Sequence, residues 1–340
     1  MRTLPRFLFA ALITTSGSAA LADSQLMIYG RINNSIEHQK VGGKSVLAMV
    51  NNNSRIGFWG RENLGNGLKA GFGLEAGFQS DTGAGMLSNG GISFGRKSNV
   101  YLMGDFGKLQ MGRAGGSSYD YVADYGVLDQ PNHDTGSVSD AIYQSVGRST
   151  NGISYSTPTL NGLTVEAALS MHEKEPESTR KNSFDLSANW ALGDVSLGAG
   201  YTKHGQNRQW GLRVHYTLQD FQIGAYIQRV DLGSTSSTCN LSIGGCGTRN
   251  SGRINAMYAP GSSEFVIGYG WAGDWSNQDD SGAHQLMLGY NYNLSKRTKV
   301  YALYTKYNND THARYGYSFK SGVNFGQDAR TFGIGVRHAF

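Results

Sequence analysis

Residues Ser183 to His204 read SFDLSANWALGDVSLGAGYTKH. Phe184, Leu186, Ala188 and Trp190 fill every second position, and after Leu-Gly-Asp at 192–194 the rhythm returns at Val195, Leu197, Ala199 and Tyr201. A period of two is the signature of a strand with one apolar face. Two such runs around a tight Gly-containing joint predict an antiparallel hairpin. The positions between carry Asp185, Ser187 and Asn189, then mainly glycine and serine, so the second face is polar.

The same pattern extends in both directions. Leu163, Val165, Ala167 and Leu169 precede it; Leu212, Val214, Tyr216 and Leu218 follow, then Phe265, Ile267, Tyr269 and Trp271, then Leu286, Leu288, Tyr290 and Tyr292. Phe332, Ile334, Val336 and Phe340 close the chain. The pattern predicts strands near 25–36, 49–61, 67–80, 92–104, 107–113, 148–157, 162–172 and 181–191, and again near 194–204, 207–217, 220–231, 250–259, 262–272, 282–292, 297–308 and 328–340. Tight joints fall at 65–67, 104–107, 158–162, 192–194 and 259–262. Long ones alternate with them at 37–48, 81–91, 114–147, 232–249, 273–281 and 309–327.

Alternation alone fits a sandwich as well as a membrane barrel, and what fills the alternate positions separates the two. A sandwich would pack its apolar faces against a second sheet. A barrel in lipid turns them outward, keeps small polar groups for the lumen and gathers aromatics near strand ends. Tyr29, Trp59, Tyr101, Trp190, Tyr201, Tyr216, Tyr258, Trp271, Tyr292 and Phe340 recur at such ends and favour the barrel. The fold class expected is therefore all-β, a 16-stranded antiparallel transmembrane β-barrel. Closure leaves no unpaired edge in hydrocarbon, and sixteen strands enclose an aqueous channel.

Composition agrees: 48 glycines and 19 tyrosines against 5 prolines suit strands and turns. Residues 1–22 read as a removable signal, with Arg2 and Arg6, an apolar run Phe7–Ile13, and Ala20-Leu21-Ala22 before Asp23. The barrel domain is then 23–340. No later stretch offers the roughly 18 apolar residues of a membrane-spanning helix. The formal charge of +5 falls to +3 when Arg2 and Arg6 leave, and no basic block suited to nucleic acid is present. Cys239 and Cys246 lie in one polar segment of an exported chain and are expected to form a local disulfide. No metal-ligand spacing or cofactor motif accompanies them.

Several stretches together resemble the Gram-negative general porins, particularly the trimeric porins of Neisseria and the betaproteobacteria. They are MIYGRINNSIEH from Met27, SRIGFWGRENLGNGLKAGFGLEAGF from Ser54, FGRKSNVYLMGDFGKLQMGR from Phe94, NGISYSTPTLNGLT from Asn151, LGYNYNLSKRTKVYALYTKYNND from Leu288 and the terminal FGIGVRHAF. The resemblance implies a homotrimer of barrels in the cell outer membrane, each with a third loop folded inward. It also implies Phe340 as the terminal aromatic read by the outer-membrane barrel assembly machinery. Lipid and lipopolysaccharide of that membrane are the other partners expected. Two places depart from the family: Ser154 stands where a basic residue is common, and the third loop lacks the usual Pro-Glu-Phe-Gly.

The segment 114–147 is too long and too acidic for a hairpin loop, carrying Asp120, Asp124, Asp129, Asp134 and Asp140. Folded inward, it sets carboxylates opposite the wall. On that wall parity turns Arg31, Arg55, Lys69 and Glu75 to the lumen, because Ile28, Ile32, Ile56, Phe58, Leu68, Ala70 and Phe72 hold the other face. Arg96, Arg113 and Arg148 stand at strand ends, where a bulge can reverse parity. Charges facing each other across a narrow gap set ion preference, and the wall arginines lean it toward anions.

An enzyme is not expected. No Gly-x-Ser-x-Gly elbow or His-Glu-x-x-His pair occurs, and the eight histidines are scattered. A substrate-specific channel is the rival reading, and a surface adhesin or receptor a lesser one. Lumen positions of mainly Gly, Ser, Asn and Thr, without an aromatic slide, favour a general diffusion pore for ions and small hydrophilic solutes.

Overall fold

The computed structural model describes residues 24–114, 117–124, 141–147, 149–172, 181–233, 245–316 and 318–340. Its strands are β1 (Gln25–Val41), β2 (Lys44–Asn51), β3 (Arg55–Gly65), β4 (Leu68–Gly77), β5 (Lys97–Gly104), β6 (Gly107–Ala114), β7 (Ser149–Ser156), β8 (Leu163–Ser170) and β9 (Ser183–Leu192). They continue as β10 (Val195–His204), β11 (Asn207–Leu218), β12 (Phe221–Leu232), β13 (Gly247–Tyr258), β14 (Ser263–Ala272), β15 (Ala283–Asn293), β16 (Thr298–Asn309) and β17 (Ala329–Ala339).

All belong to one antiparallel sheet that closes on itself. β1 pairs with β17 from Arg31↔Ala339 to Val41↔Ala329, and on its other edge with β2 along its upper half and β3 along its lower half. β2 and β3 are thus two halves of one barrel strand, interrupted at 52–54 where Asn53 takes a positive φ of 57°. The seventeen segments make sixteen barrel strands, as the periodicity predicts. Gly30 and Phe340 exchange backbone hydrogen bonds of 3.1 Å each way at the seam.

Burial is inverted relative to a water-soluble sheet. On β11, Leu212 and Val214 are 49% and 46% exposed, while Gln209, Arg213 and His215 between them are 2%, 6% and 3%. Apolar side chains outside and polar ones inside are what lipid outside and water inside select. No helix among the described residues is long and apolar enough to cross a membrane; the strands do so.

Short joints at 66–67, 105–106, 157–162, 193–194, 219–220, 259–262 and 294–297 lie at the same end as the termini, the periplasmic pattern of bacterial barrels. Three expectations need correction. The joint at 37–48 is no long loop: β1 runs to Val41 and turns at Gly42-Gly43, a dipeptide suited to two-residue hairpins. The alternation in that stretch is between polar lumen residues and Ile36, His38 and Lys40, so no apolar rhythm marks it. The strand placed at 92–104 starts at Lys97, leaving 92–96 in the loop. Tyr29, Trp59 and Tyr101 do not belong to an outer girdle; register places Trp59 on the face of Gly57, which stands opposite Tyr29 and Glu75, and Tyr101 opposite buried Gln110.

Candidate functional site

After β6 the chain turns into the barrel. Residues Ser117–Tyr119 and Asp120–Asp124 form a short α turn and a π turn lying against the inner faces of β9, β10 and β11. The wall is hollowed to receive them. A Cβ on Gly200 would stand 2.5 Å from Ser118 Cβ, one on Gly198 would meet the Tyr121 carbonyl, and one on Gly211 would lie 2.8 Å from Val122. Real Cβ atoms do not approach so closely, so each glycine permits the close approach. Buried Asp185 then pins the turn. Its carboxylate accepts the Ser118 backbone N–H at 3.1 Å, the Ser118 hydroxyl, and the Thr202 hydroxyl at 2.7 Å.

The returning limb, 141–147, also lies inside. Gln144 exchanges hydrogen bonds with the Gln228 side chain, 2.9 Å from its N–H and 2.7 Å to its carbonyl. Tyr143 packs edge-on against Tyr119 and Tyr226. Arg249 lies over the rings of Trp275 and Tyr315, 4.6 and 5.4 Å from their centroids, and donates to the Ile142 carbonyl at 3.0 Å. Ile142, Tyr307, Ala313 and Tyr315 share an apolar cluster near the outer mouth, joined by Phe319 and Val323. The described parts of the loop 310–328 thus fold over the same side of the barrel as the returning limb.

The wall of β1, β3, β4 and the end of the β4–β5 loop carries the basic group. Arg55 and Arg96 approach the Glu75 carboxylate at 3.8 and 2.5 Å. Tyr29 reaches across Gly57, where a Cβ would stand 2.4 Å from its ring, and donates its hydroxyl to Glu75 at 2.9 Å. Arg31 stands beside Arg55 in the register and donates to the Asn52 and Asn53 carbonyls at 3.4 and 3.3 Å. Arg113 donates to the carbonyl of Gly95, next to Arg96; β6 bulges after Gly112, whose φ is 115°. Two arginines therefore pair with Glu75, with Arg31 beside one of them and Arg113 next to the other.

Of the residues expected at a constriction, Arg31, Arg55, Glu75 and Arg96 come together, with Arg113 alongside. Lys69 shares the lumen face but sits six residues from Glu75 on β4, roughly 20 Å at strand rise, close to the periplasmic turn. Asp120 is half-buried on the inward turn. Burial, then Glu166 and Asp120 nearby, hold the Tyr121 phenol above its usual range. Arg148, Asp129, Asp134 and Asp140 lie outside the described residues, as does the Asp124 side chain. Cys246 is disulfide-bonded, and Cys239, the other cysteine of the sequence, lies outside them.

Sequence reading missed the anchor Asp185 and a second basic series, Arg213, Arg249, Arg253 and Lys299, all buried on the lumen face. Arg213 donates to Asn189 at 2.6 Å and Ser196 at 2.8 Å; Lys299 pairs with Glu264 at 3.0 Å. The signal was present, since Arg213 alternates with Leu212 and Val214 in the period that located the strand. Lumen aromatics were also underestimated. Tyr226 and Tyr307 face inward but are covered, by Tyr143 and by Phe319, so they form no open aromatic track.

The model of a family described as "Gram-negative porin" matches residues 9–312. "Outer membrane porin protein 32" of Delftia acidovorans is 26% identical, with 99% of this chain and all of that one aligned. "Major outer membrane protein P.IB" of Neisseria meningitidis serogroup A is 37% identical over 119 residues, 32% of this chain and 34% of that one. Among solved structures, "Anion-selective porin from Comamonas acidovorans" superposes with a TM-score of 0.76 at 25% identity, covering 94% of this chain and all of that one.

Proposed function

Since this chain belongs to the Gram-negative porin family and is a water-filled outer-membrane channel for ions and small hydrophilic solutes, we propose that its constriction prefers anions. The observation that carries this reading is the basic wall itself: Arg55 and Arg96 share the carboxylate of Glu75, Arg31 stands across from Arg55, and Arg113 donates to Gly95 beside Arg96. The similar Comamonas acidovorans porin is described as anion-selective, which supports it. The described parts of the inward segment, 117–124 and 141–147, lie inside the barrel against the wall across from that cluster, which supports a pore narrowed between them. A solute passing between them crosses a field whose basic side is fixed to strands. The test is swelling of liposomes bearing the protein in solutes of matched size. A small sulfonate is expected to enter faster than a quaternary ammonium ion; equal rates, or the reverse order, would refute the preference.

Neutralising the carboxylate should strengthen the preference. In Glu75→Gln the two paired arginines lose their partner, and a unit charge about 8 Å from a passing ion in water acts with about 0.5 kcal/mol. The chloride-to-potassium permeability ratio is expected to rise roughly two- to threefold after screening, read from the reversal potential.

We also assign residues 1–22 to a signal peptide, the assembled state to a homotrimer, and Phe340 to recognition by the assembly machinery. The family resemblance supports the last two. Outer-leaflet lipopolysaccharide is expected at the lipid-facing surface. Deleting Phe340 removes both backbone hydrogen bonds to Gly30 as well as the terminal ring. Barrel in the outer membrane is expected to fall severalfold, with unfolded chain accumulating in the periplasm, as cell fractionation would measure. No chemistry of an enzyme is assigned to this channel.

A further inference from the structure

Between the arginine wall and the periplasmic turns, the lumen face of β1, β3, β4 and β5 is not lined by small polar groups alone. Register sets its rows. Tyr29, Gly57, Glu75 and Lys97 stand level with one another; two residues lower come Met27, Trp59, Gly73 and Asn99; two lower again, Arg61, Gly71 and Tyr101. The next row holds Lys69, Met103 and Lys108. Each step descends about 7 Å. Every row below Glu75 thus carries an aromatic ring or a thioether facing the lumen.

These side chains are open to the pore, and each ring has its own cation. Trp59 and Tyr101 are half-buried, and Met27 is 49% exposed. The Arg61 guanidinium lies 6.0 Å from the centroid of the Trp59 ring and the Lys108 ammonium 4.9 Å from that of Tyr101, both within cation–π reach. Tyr101 leans across β4 toward β3, because a Cβ on Gly71 would stand 2.4 Å from its ring. The two ring-and-cation pairs are two strands apart, about 10 Å, with only Gly71 and Gly73 of β4 between them. Tyr226 and Tyr307 across the lumen are covered by other rings; among the described residues no ring covers Trp59 or Tyr101.

Charge decides which aromatic solutes suit this stretch. Arg61, Lys69, Lys97 and Lys108 face it, and the nearby carboxylate is Glu166, which stands beyond Ser156 from Lys108. Arg61 donates to the Gln25 side chain at 2.9 Å, and a guanidinium has further N–H donors for a carboxylate. An aromatic cation is repelled here and an aromatic anion attracted. A planar ring also gains from contact with Trp and Tyr beyond the area it buries, which a saturated ring of the same charge does not. Met27 and Met103 add adaptable apolar edges.

We infer that Trp59 with Arg61, and Tyr101 with Lys108, form a weak binding subsite for planar aromatic carboxylates on the periplasmic side of the arginine wall. The subsite gives a general pore a preference among anions and rests on the channel reading above. Block of the chloride current through the purified protein in planar bilayers tests it with three probes: benzoate, cyclohexanecarboxylate and benzyltrimethylammonium. Benzoate is expected to block at about fivefold lower concentration than cyclohexanecarboxylate, and the ammonium ion not to block in that range. In W59L/Y101L the two acids should block alike. In R61Q/K108Q both should weaken while benzoate keeps its lead. Tyr216→Leu, which removes an outward tyrosine 39% exposed, should behave as wild type. Should W59L/Y101L fail to assemble, W59L and Y101L singly are each expected to reduce the ratio. Equal block by the two acids in wild type, or a ratio that survives loss of both rings, would overturn the subsite. Block by the ammonium ion as strong as by benzoate would overturn the anionic ligand class. The chloride-to-potassium ratio of wild type is read in the same bilayers. A cation-preferring wild type would fault the constriction reading alone, because comparing two acids of equal charge does not depend on it.

Discussion

Replacing Arg55 and Arg96 together by glutamate is expected to turn the channel from anion-preferring to cation-preferring. Both guanidinium groups lie within ion-pair distance of Glu75 on the lumen wall, so each substitution moves the charge there by two units. With about 0.5 kcal/mol per unit charge at about 8 Å in water, the two changes shift a passing monovalent ion by about 2 kcal/mol before screening, with opposite signs for anion and cation. Screening at 0.1 M salt, where the Debye length is about 10 Å, reduces this but leaves at least a tenfold swing in permeability ratio. The paired Gln variants should abolish much of the preference without crowding three carboxylates together. In both cases the effect should fade toward 1 M salt, where the Debye length is about 3 Å. If the Glu variant kept the wild-type ratio at low salt, the narrowest point would lie away from this cluster.

Gly200→Val is expected to widen the pore. The new Cβ would stand 2.5 Å from Ser118 Cβ and 2.8 Å from its Cα, so the inward turn at 117–124 must lift off β10. Lifting it breaks the hydrogen bonds from Ser118 to Asp185, each worth about 1.5–3 kcal/mol when the acceptor is charged. Single-channel conductance is expected to rise roughly 1.5- to 2-fold, since open area sets flow through an aqueous pore. Anion preference should weaken at the same time, because ions are no longer pressed toward the arginine wall. Asp185→Ala, which removes the anchor without adding bulk, should shift both readings in the same direction by less. Position 200 faces the lumen, so barrel assembly should survive, as heat-modifiable mobility on gels would show. Unchanged conductance in both variants would mean that the turn does not narrow the path.

Strands were legible wherever one face is uniformly apolar, as along Phe184–Trp190 and Leu212–Tyr216. Legibility failed at 37–48, where polar lumen residues alternate with His38 and Lys40 and no apolar rhythm marks the extended chain. Parity turns Arg31, Arg55 and Glu75 to one face, and the register keeps them on one face, because alternation is local and survives closure. It could not tell height on the barrel, which separates Lys69 from Glu75, since height depends on how strands are sheared against one another. Nor could it find Asp185 as an anchor, because the partner, Ser118, is distant in sequence and meets it only once the loop folds inward. Gly198, Gly200 and Gly211 carried the clue as gaps on one face, but glycine in a lumen strand has several uses.

On the proposed reading, the arginine wall makes this porin's pore prefer anions. The most direct test is the reversal potential of purified wild-type protein in a planar bilayer, across a tenfold KCl gradient at low total salt. The expected result is a potential lying toward the chloride equilibrium value and collapsing toward zero as salt is raised. A potential lying toward the potassium value at low salt would contradict it, and would give the narrowest point to the loop carboxylates.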